Sequence, residues 1–193
     1  MNSQSNSYFS VAHGFAAYLS PWPKEQPLPN DYELRGMLPL GIQLISQVKA
    51  MEADCLLQLR HLDDEARTVV DYLKLQSRKI DLVLQHVLEQ QPHEGERCSG
   101  LHFGGSGIHL LSPTKLVPGE RYRITLHIRE ALIAILCIGE CTRCDDEASE
   151  GGFDCELSFI QILDEDVEQL VKASLNIQQK QLQQRKKQQQ DPS

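Results

Sequence analysis

Residues 121–162 read RYRITLHIREALIAILCIGECTRCDDEASEGGFDCELSFIQI, and they decide the fold class. Arg121 to Arg129 alternates polar and apolar residues, the period of a half-buried strand. Ala131 to Cys144 is apolar and then mixed, a more buried strand, and DDEASEGG is a loop. From Gly152 to Ile162 the alternation returns, with Phe153, Cys155, Leu157 and Phe159 on one side. Short strands separated by turns predict a small antiparallel barrel.

Upstream, CSGLHFGGSGIHLL (98–111) is also strand-like; it stops at Ser112-Pro113, and Pro118-Gly119 marks a turn. Downstream, Asp164, Glu165 and Asp166 place negative charge where a helix N-terminus favours it. Leu163, Val167, Leu170, Val171 and Ser174 then give that closing helix an apolar face over the barrel. Near the N-terminus, residues 8–20 are apolar, rich in β-formers and bounded by Pro21, a plausible first strand. PWPKEQPLPN (21–30) is an extended linker, and Asn30 with Glu33 fits a capping box opening a short helix.

From Ile42 to Gln91 there is neither glycine nor proline. Steps of alternating threes and fours from Ile45 meet Val48, Glu52, Cys55, Leu59, Leu62, Ala66, Val69, Leu73, Gln76, Ile80, Val83 and Val87. Only Glu52 and Gln76 are polar, so an apolar seam at heptad spacing runs through the segment. The unbroken phase favours one continuous helix over a hairpin broken near Asp63-Asp64; such a helix would be about 75 Å long. A rod of that length needs partner helices. Leu56, Val70, Leu84 and Leu88 widen the apolar face, which suits a trimer or tetramer, and Gln76 can fix register.

The expected organisation is therefore α+β: residues 1–20 as N-terminal segment and first strand, 21–41 as Pro-rich linker and short helix, and 42–91 as a long oligomerising helix. Residues 92–163 complete the barrel, and 164–193 form the C-terminal helix with a basic, Gln-rich tail.

The 193 residues carry a net charge of −8. The tail from Asn176 holds Lys180, Arg185, Lys186 and Lys187 against Asp191, so the rest of the chain is near −11. That balance argues against a nucleic-acid polymer as partner. No run of about 18 apolar residues is present, and no secretory signal opens the chain, so no membrane insertion and a cytoplasmic location are expected. Six cysteines without a signal read as reduced thiols.

No catalytic constellation emerges. Gly104-Gly105-Ser106-Gly107 fails as a nucleophile elbow because position 108 is isoleucine, and no phosphate-loop lysine follows. It reads as a glycine-rich bend between strands. Cys137, Cys141, Cys144 and Cys155 resemble a four-thiolate set, but strict alternation sends Cys144 to the face opposite Cys137 and Cys141, and paired CxxC knuckles are absent. His102 and His109 form an alternating pair without a metal-binding spacing. Neither a metal nor another cofactor is expected.

The order of the β-portion resembles the PilZ family, small bacterial barrels best known as receptors for cyclic di-GMP. FGGSGIHLLSPTKLVPGERYRITLHI (103–128) is similar to the family's glycine-bearing bend, the strand after it and its Pro-Gly turn. DCELSFIQILDEDVEQLV (154–171) is similar to its last strand and closing helix, and SNSYFSVAHGFAAYL (5–19) to its entry segment. The resemblance covers residues 97–175 best. It implies that 21–95 is a helical insertion, as in an atypical PilZ subgroup that forms tetramers through heptad helices.

The family's ligand motifs fall on Asn6 and Ser10, where a pair of arginines would stand, and on His102 to Gly107, where Asp or Asn, then Ser, then Gly would stand. Of the second motif only Gly107 is kept; Gly104 occupies the serine position. Each lost charge-assisted bond is worth about 1.5–3 kcal/mol, so two missing arginines could cost roughly two to four orders of magnitude in affinity. The resemblance thus implies a non-enzymatic, self-assembling adaptor with weak or no cyclic di-GMP binding. It would act through as yet unidentified protein partners in motility, pilus or virulence regulation. The alternative is a receptor that holds cyclic di-GMP with non-standard residues, for which Arg97, Arg121 and Arg123 are the candidates.

Overall fold

The structure is a computed structural model that describes residues 10–59, 67–90 and 92–190. It divides into two compact units. One comprises the chain up to Met37 and from Glu94 onward; the other is Leu38–His93.

The first unit is a closed antiparallel barrel of six strands in the order β1-β2-β3-β6-β5-β4. The strands are β1 (Val11–Trp22), β2 (Glu96–Phe103), β3 (Gly107–Ser112), β4 (Arg121–Ile128), β5 (Ile133–Cys144) and β6 (Phe153–Gln161). Closure removes every sheet edge, which small β-proteins must otherwise protect. The alternating apolar residues point inward: Ile124, Leu126 and Ile128 from β4, Ile108 and Leu110 from β3, Cys155 and Leu157 from β6, all buried. Phe15 and Phe103 meet edge to face in this core with centroids 5.9 Å apart.

The first strand runs through Pro21 to Trp22 rather than stopping at residue 20. From Ala16 to Leu19 it pairs on both sides, with β2 and β4; at Pro21 it pairs only with β4. The missing proline N–H therefore faces no partner strand, the position where a strand tolerates proline.

Helix α1 (Asp31–Gly36) opens with the expected capping box: Asn30 Oδ1 accepts from the Glu33 amide at 3.0 Å, and Glu33 Oε2 accepts from the Asn30 amide at 2.9 Å. It is fastened to the barrel by Gln161 Nε2 donating to Asp31 Oδ1 at 2.9 Å and Arg35 Nη2 donating to Glu165 Oε2 at 2.8 Å.

The second unit holds α2 (Leu40–Leu59) and α3 (Arg67–Gln90), which pack against each other. This corrects the expectation of one continuous helix over 42–91. The barrel shows why. Gln161, beside α1, pairs with Ile138, Ile138 with Arg123, and Arg123 with Ser20. Gly95 lies on the backbone of Leu19 and the side chain of Ser20. The two anchors of the insertion are thus three strand spacings apart, about 14 Å. A straight helix of fifty residues would separate them by about 75 Å. The chain must fold back. Asp63-Asp64, the point where the sequence admits a break, lies outside the described residues, as do Leu62 and Ala66.

Helix α4 (Asp164–Gln190) closes the barrel unit, burying Leu170, Ala173, Ser174 and Ile177. Gln178 and Gln181 donate to the carbonyls of Ser10 and Ala12 at 3.3 and 2.8 Å. The helix continues through the basic segment, with Arg185, Lys186 and Lys187 exposed.

Candidate functional site

The family's second ligand motif falls where the end of β2 bends into β3. The Gly104 amide donates to the Gly107 carbonyl at 3.0 Å, closing the bend, and the Phe159 amide donates to the Ser106 carbonyl at 2.9 Å. A β-carbon on Gly105 would sit 2.8 Å from Val171 of α4, and one on Gly107 would strike the Leu157 carbonyl of β6. Gly107, the motif position that is kept, is therefore explained by close strand packing alone.

Around this bend the outer barrel face carries a polar row across four strands. His102 on β2 pairs in register with His109 on β3, His109 with Glu156 on β6, and Glu156 with Arg143 on β5. The two imidazoles stack with centroids 5.3 Å apart and 13° between planes, and their Nδ1 atoms are 3.2 Å apart. One ring must donate and the other accept. His109 Nε2 lies 2.7 Å from Asp154 Oδ1; when His109 is neutral and donates there, its Nδ1 accepts from His102.

Asp154 also takes a bond from Arg143 Nη2 at 2.7 Å. Arg143 reaches Glu156 Oε1 at 3.2 Å and Asp145 as well. Partial burial pushes the Asp154 carboxyl up, but bonds and charges from His109 and then Arg143 outweigh it and hold the group below the usual carboxylate range. One guanidinium thus faces three carboxylates, and the row is net anionic.

The remaining candidates are scattered. Asn6 lies outside the described residues; Ser10 is exposed and its carbonyl is taken by Gln178. Arg97 sits on β2 five residues from His102, about 17 Å along the strand. Arg121 and Arg123 pair with Trp22 and Ser20 on β1; Arg121 stands in the register row of Gly107 but three strands away around the barrel, and Arg123 is bound to Glu94 at 2.6 Å. None of the three stands beside the bend. Sequence reading named His102 and His109 but missed Arg143, Asp154 and Glu156; strand register alone would have brought them into view.

Of the seam residues, Val69, Leu73, Ile80, Val83 and Val87 are exposed, from 45% for Leu73 and Val87 to 62% for Val83, and Gln76 is half-buried. The side chain of Leu59 is outside what the structure describes. An apolar stripe on α3 therefore faces solvent in the single chain.

The cysteines depart from strict alternation. A bulge between Cys141 and Arg143 reverses the alternation of β5, so Cys144 returns to the core side and meets its register partner Cys155. Among the described residues no group of three or more His, Cys, Asp or Glu is arranged to hold a metal ion. Nor is any described helix long and apolar enough to cross a membrane.

No protein-family model and no curated protein matches the chain. Among solved structures it is similar to a pathogenic protein from Xanthomonas campestris, described as a tetrameric PilZ domain self-assembled via an unusual helical bundle. The identity is 15%, the TM-score 0.53, and the match covers 92% of each chain. It is also similar to the Bacillus subtilis inhibitor of motility MotI/DgrA, at 16% identity over 44% of this chain and 42% of that one, with a TM-score of 0.39. The PilZ domain of Escherichia coli YcgR with cyclic di-GMP matches at 12% identity over 48% of this chain and 79% of that one, also with a TM-score of 0.39. The fold assignment rests on the first of these together with the barrel itself: this chain has the PilZ-like α+β fold, a closed six-stranded antiparallel barrel with inserted helices and a closing C-terminal helix.

Proposed function

We propose that the chain is a non-enzymatic PilZ-like signalling adaptor. It self-assembles through its inserted helices and acts on protein partners in motility, pilus or virulence regulation, with weak or no binding of cyclic di-GMP. The observation that carries this reading is the occupied, acidic face beside the β2–β3 bend. A ligand bearing two phosphates needs uncommitted cations there. The face instead has Arg143 held by Asp145, Asp154 and Glu156, and His102 engaged with His109. Bringing phosphate to it would mean stripping a salt-bridged arginine and facing like charge.

Self-assembly is supported by the exposed stripe Val69, Leu73, Ile80, Val83 and Val87, too apolar for a solvated helix face. The tetramer formed through a helical bundle by the Xanthomonas campestris protein is the arrangement we propose here. Calorimetric titration of purified protein with cyclic di-GMP at moderate salt tests the ligand reading. No heat up to high micromolar ligand is expected. Micromolar or tighter binding would overturn the adaptor reading in favour of a receptor with non-standard residues, for which Arg143 and the two imidazoles supply the donors on the motif's face.

A further inference from the structure

We infer that Cys144 and Cys155 form a reversible dithiol–disulfide site, oxidised by hydroperoxides, at the root of the β5–β6 hairpin. The two residues are register partners, and their sulfurs are 2.8 Å apart. The Asp145 amide donates to the Asp154 carbonyl at 2.9 Å, so the neighbouring pair is the hydrogen-bonded one and Cys144–Cys155 the closer, non-bonded one. Cα atoms in such a pair lie about 4.5 Å apart, at the short end of what a disulfide spans. Contraction of the sulfurs to about 2.05 Å then asks for little backbone movement, and a bridge at this end of the range is readily reduced again.

The two thiols differ in a way that orders the chemistry. Cys144 is half-buried, whereas Cys155 is buried and its thiol donates to the Cys144 sulfur. Burial, and then Cys144 itself, push the Cys155 thiol far up, so attack begins at Cys144. The Cys144 thiolate attacks a peroxide oxygen; an S–O bond forms, the O–O bond breaks, and hydroxide leaves and is protonated to water. The Cys155 sulfur then attacks the Cys144 sulfenic acid; the S–S bond forms, the S–O bond breaks, and hydroxide departs with the Cys155 proton as a second water. Two thiols lose two electrons, and hydrogen peroxide becomes two waters.

The consequence falls on the polar face. Asp145 follows Cys144 and Asp154 precedes Cys155, so a bridge would pin two of the carboxylates that hold Arg143. Cys137 lies fully buried elsewhere on β5.

The test treats full-length folded protein with hydrogen peroxide, alkylates it, and maps peptides by mass spectrometry. An intramolecular Cys144–Cys155 link is expected as the main product, with alkylation of Cys144 slowed at least tenfold and fully restored by dithiothreitol. C144S and C155S, each checked for native circular dichroism, should yield no intramolecular link. Cys144 and Cys155 both still alkylated after a peroxide treatment that fully oxidises added glutathione in the same sample would overturn the inference. So would Cys144 passing to sulfinic acid without a bridge, or linking only to another chain.

Discussion

His109 donates into a carboxylate that is already shared: its Nε2 lies 2.7 Å from Asp154 Oδ1, the same oxygen that Arg143 Nη2 reaches at 2.7 Å. A single side chain of β6 thereby joins β3 to β5 across the outer face. Asp154→Asn should cost about 1–2 kcal/mol in chemical denaturation, the range for bonds to a charged group with some solvent access. The folded carboxyl titrates below its unfolded value, so its contribution is present above about pH 4 and disappears as pH falls through the lowered folded value. The variant should accordingly converge on the parent in strongly acidic buffer. A gap that stays constant down to that range would show that charge is not what stabilises the contact.

Asp166 predicts the opposite slope. It is buried in the first turn of α4; burial, and then Glu165, push its carboxyl up to about 6, with Arg35 opposing. Its folded value lies above the unfolded one, so the folded state binds the extra proton. This contribution is greatest below about pH 4 and is lost as pH rises through 6. Asp166→Asn should stabilise the protein by about 2 kcal/mol at pH 7.5 and flatten the pH profile between about 4 and 6. Loss of stability at pH 7.5 would mean that the helix N-terminus gains more from the charge than burial costs.

Phe15 covers its register partner Gly100, and a β-carbon there would enter the ring. Gly100→Ala should therefore cost about 1–3 kcal/mol, the range for overpacking a filled core. Pairing it with Phe15→Ala should give less than the summed losses, because the first change needs the ring to clash with. Additive losses in denaturant melts would refute the contact.

Leu73→Glu together with Ile80→Glu places charge in the exposed stripe of α3. The mass from light scattering should fall to that of a single chain while the β-rich circular dichroism persists, since neither residue belongs to the barrel unit. An unchanged mass would remove α3 as the assembly surface.

The barrel was legible because its strands alternate cleanly. Arg121 to Arg129 and Gly152 to Ile162 each carry one apolar face, and both became strands, β4 and β6, lining the core. Asn30 and Glu33 announced the start of α1 because a capping box is a local arrangement, complete within four residues. The same locality explains the error over 42–91: helical periodicity continues in phase whether or not the rod folds back, and only the two barrel anchors require the turn. Cys144 was misplaced for a related reason, since a bulge inserts one residue into β5 and alternation counted from sequence cannot register it.

What the sequence alone determined is what nearest neighbours along the chain can encode: strand and helix periods, caps, the basic tail, and the absence of arginines at positions 6 and 10. Only the tertiary structure decided the rest. It set Arg143 of β5, Glu156 and Asp154 of β6 and His109 of β3 on one face, and Cys144 against Cys155. Those relations depend on strand order and register around a closed barrel. They are fixed by which core side chains fill the interior together, a condition that no single segment carries.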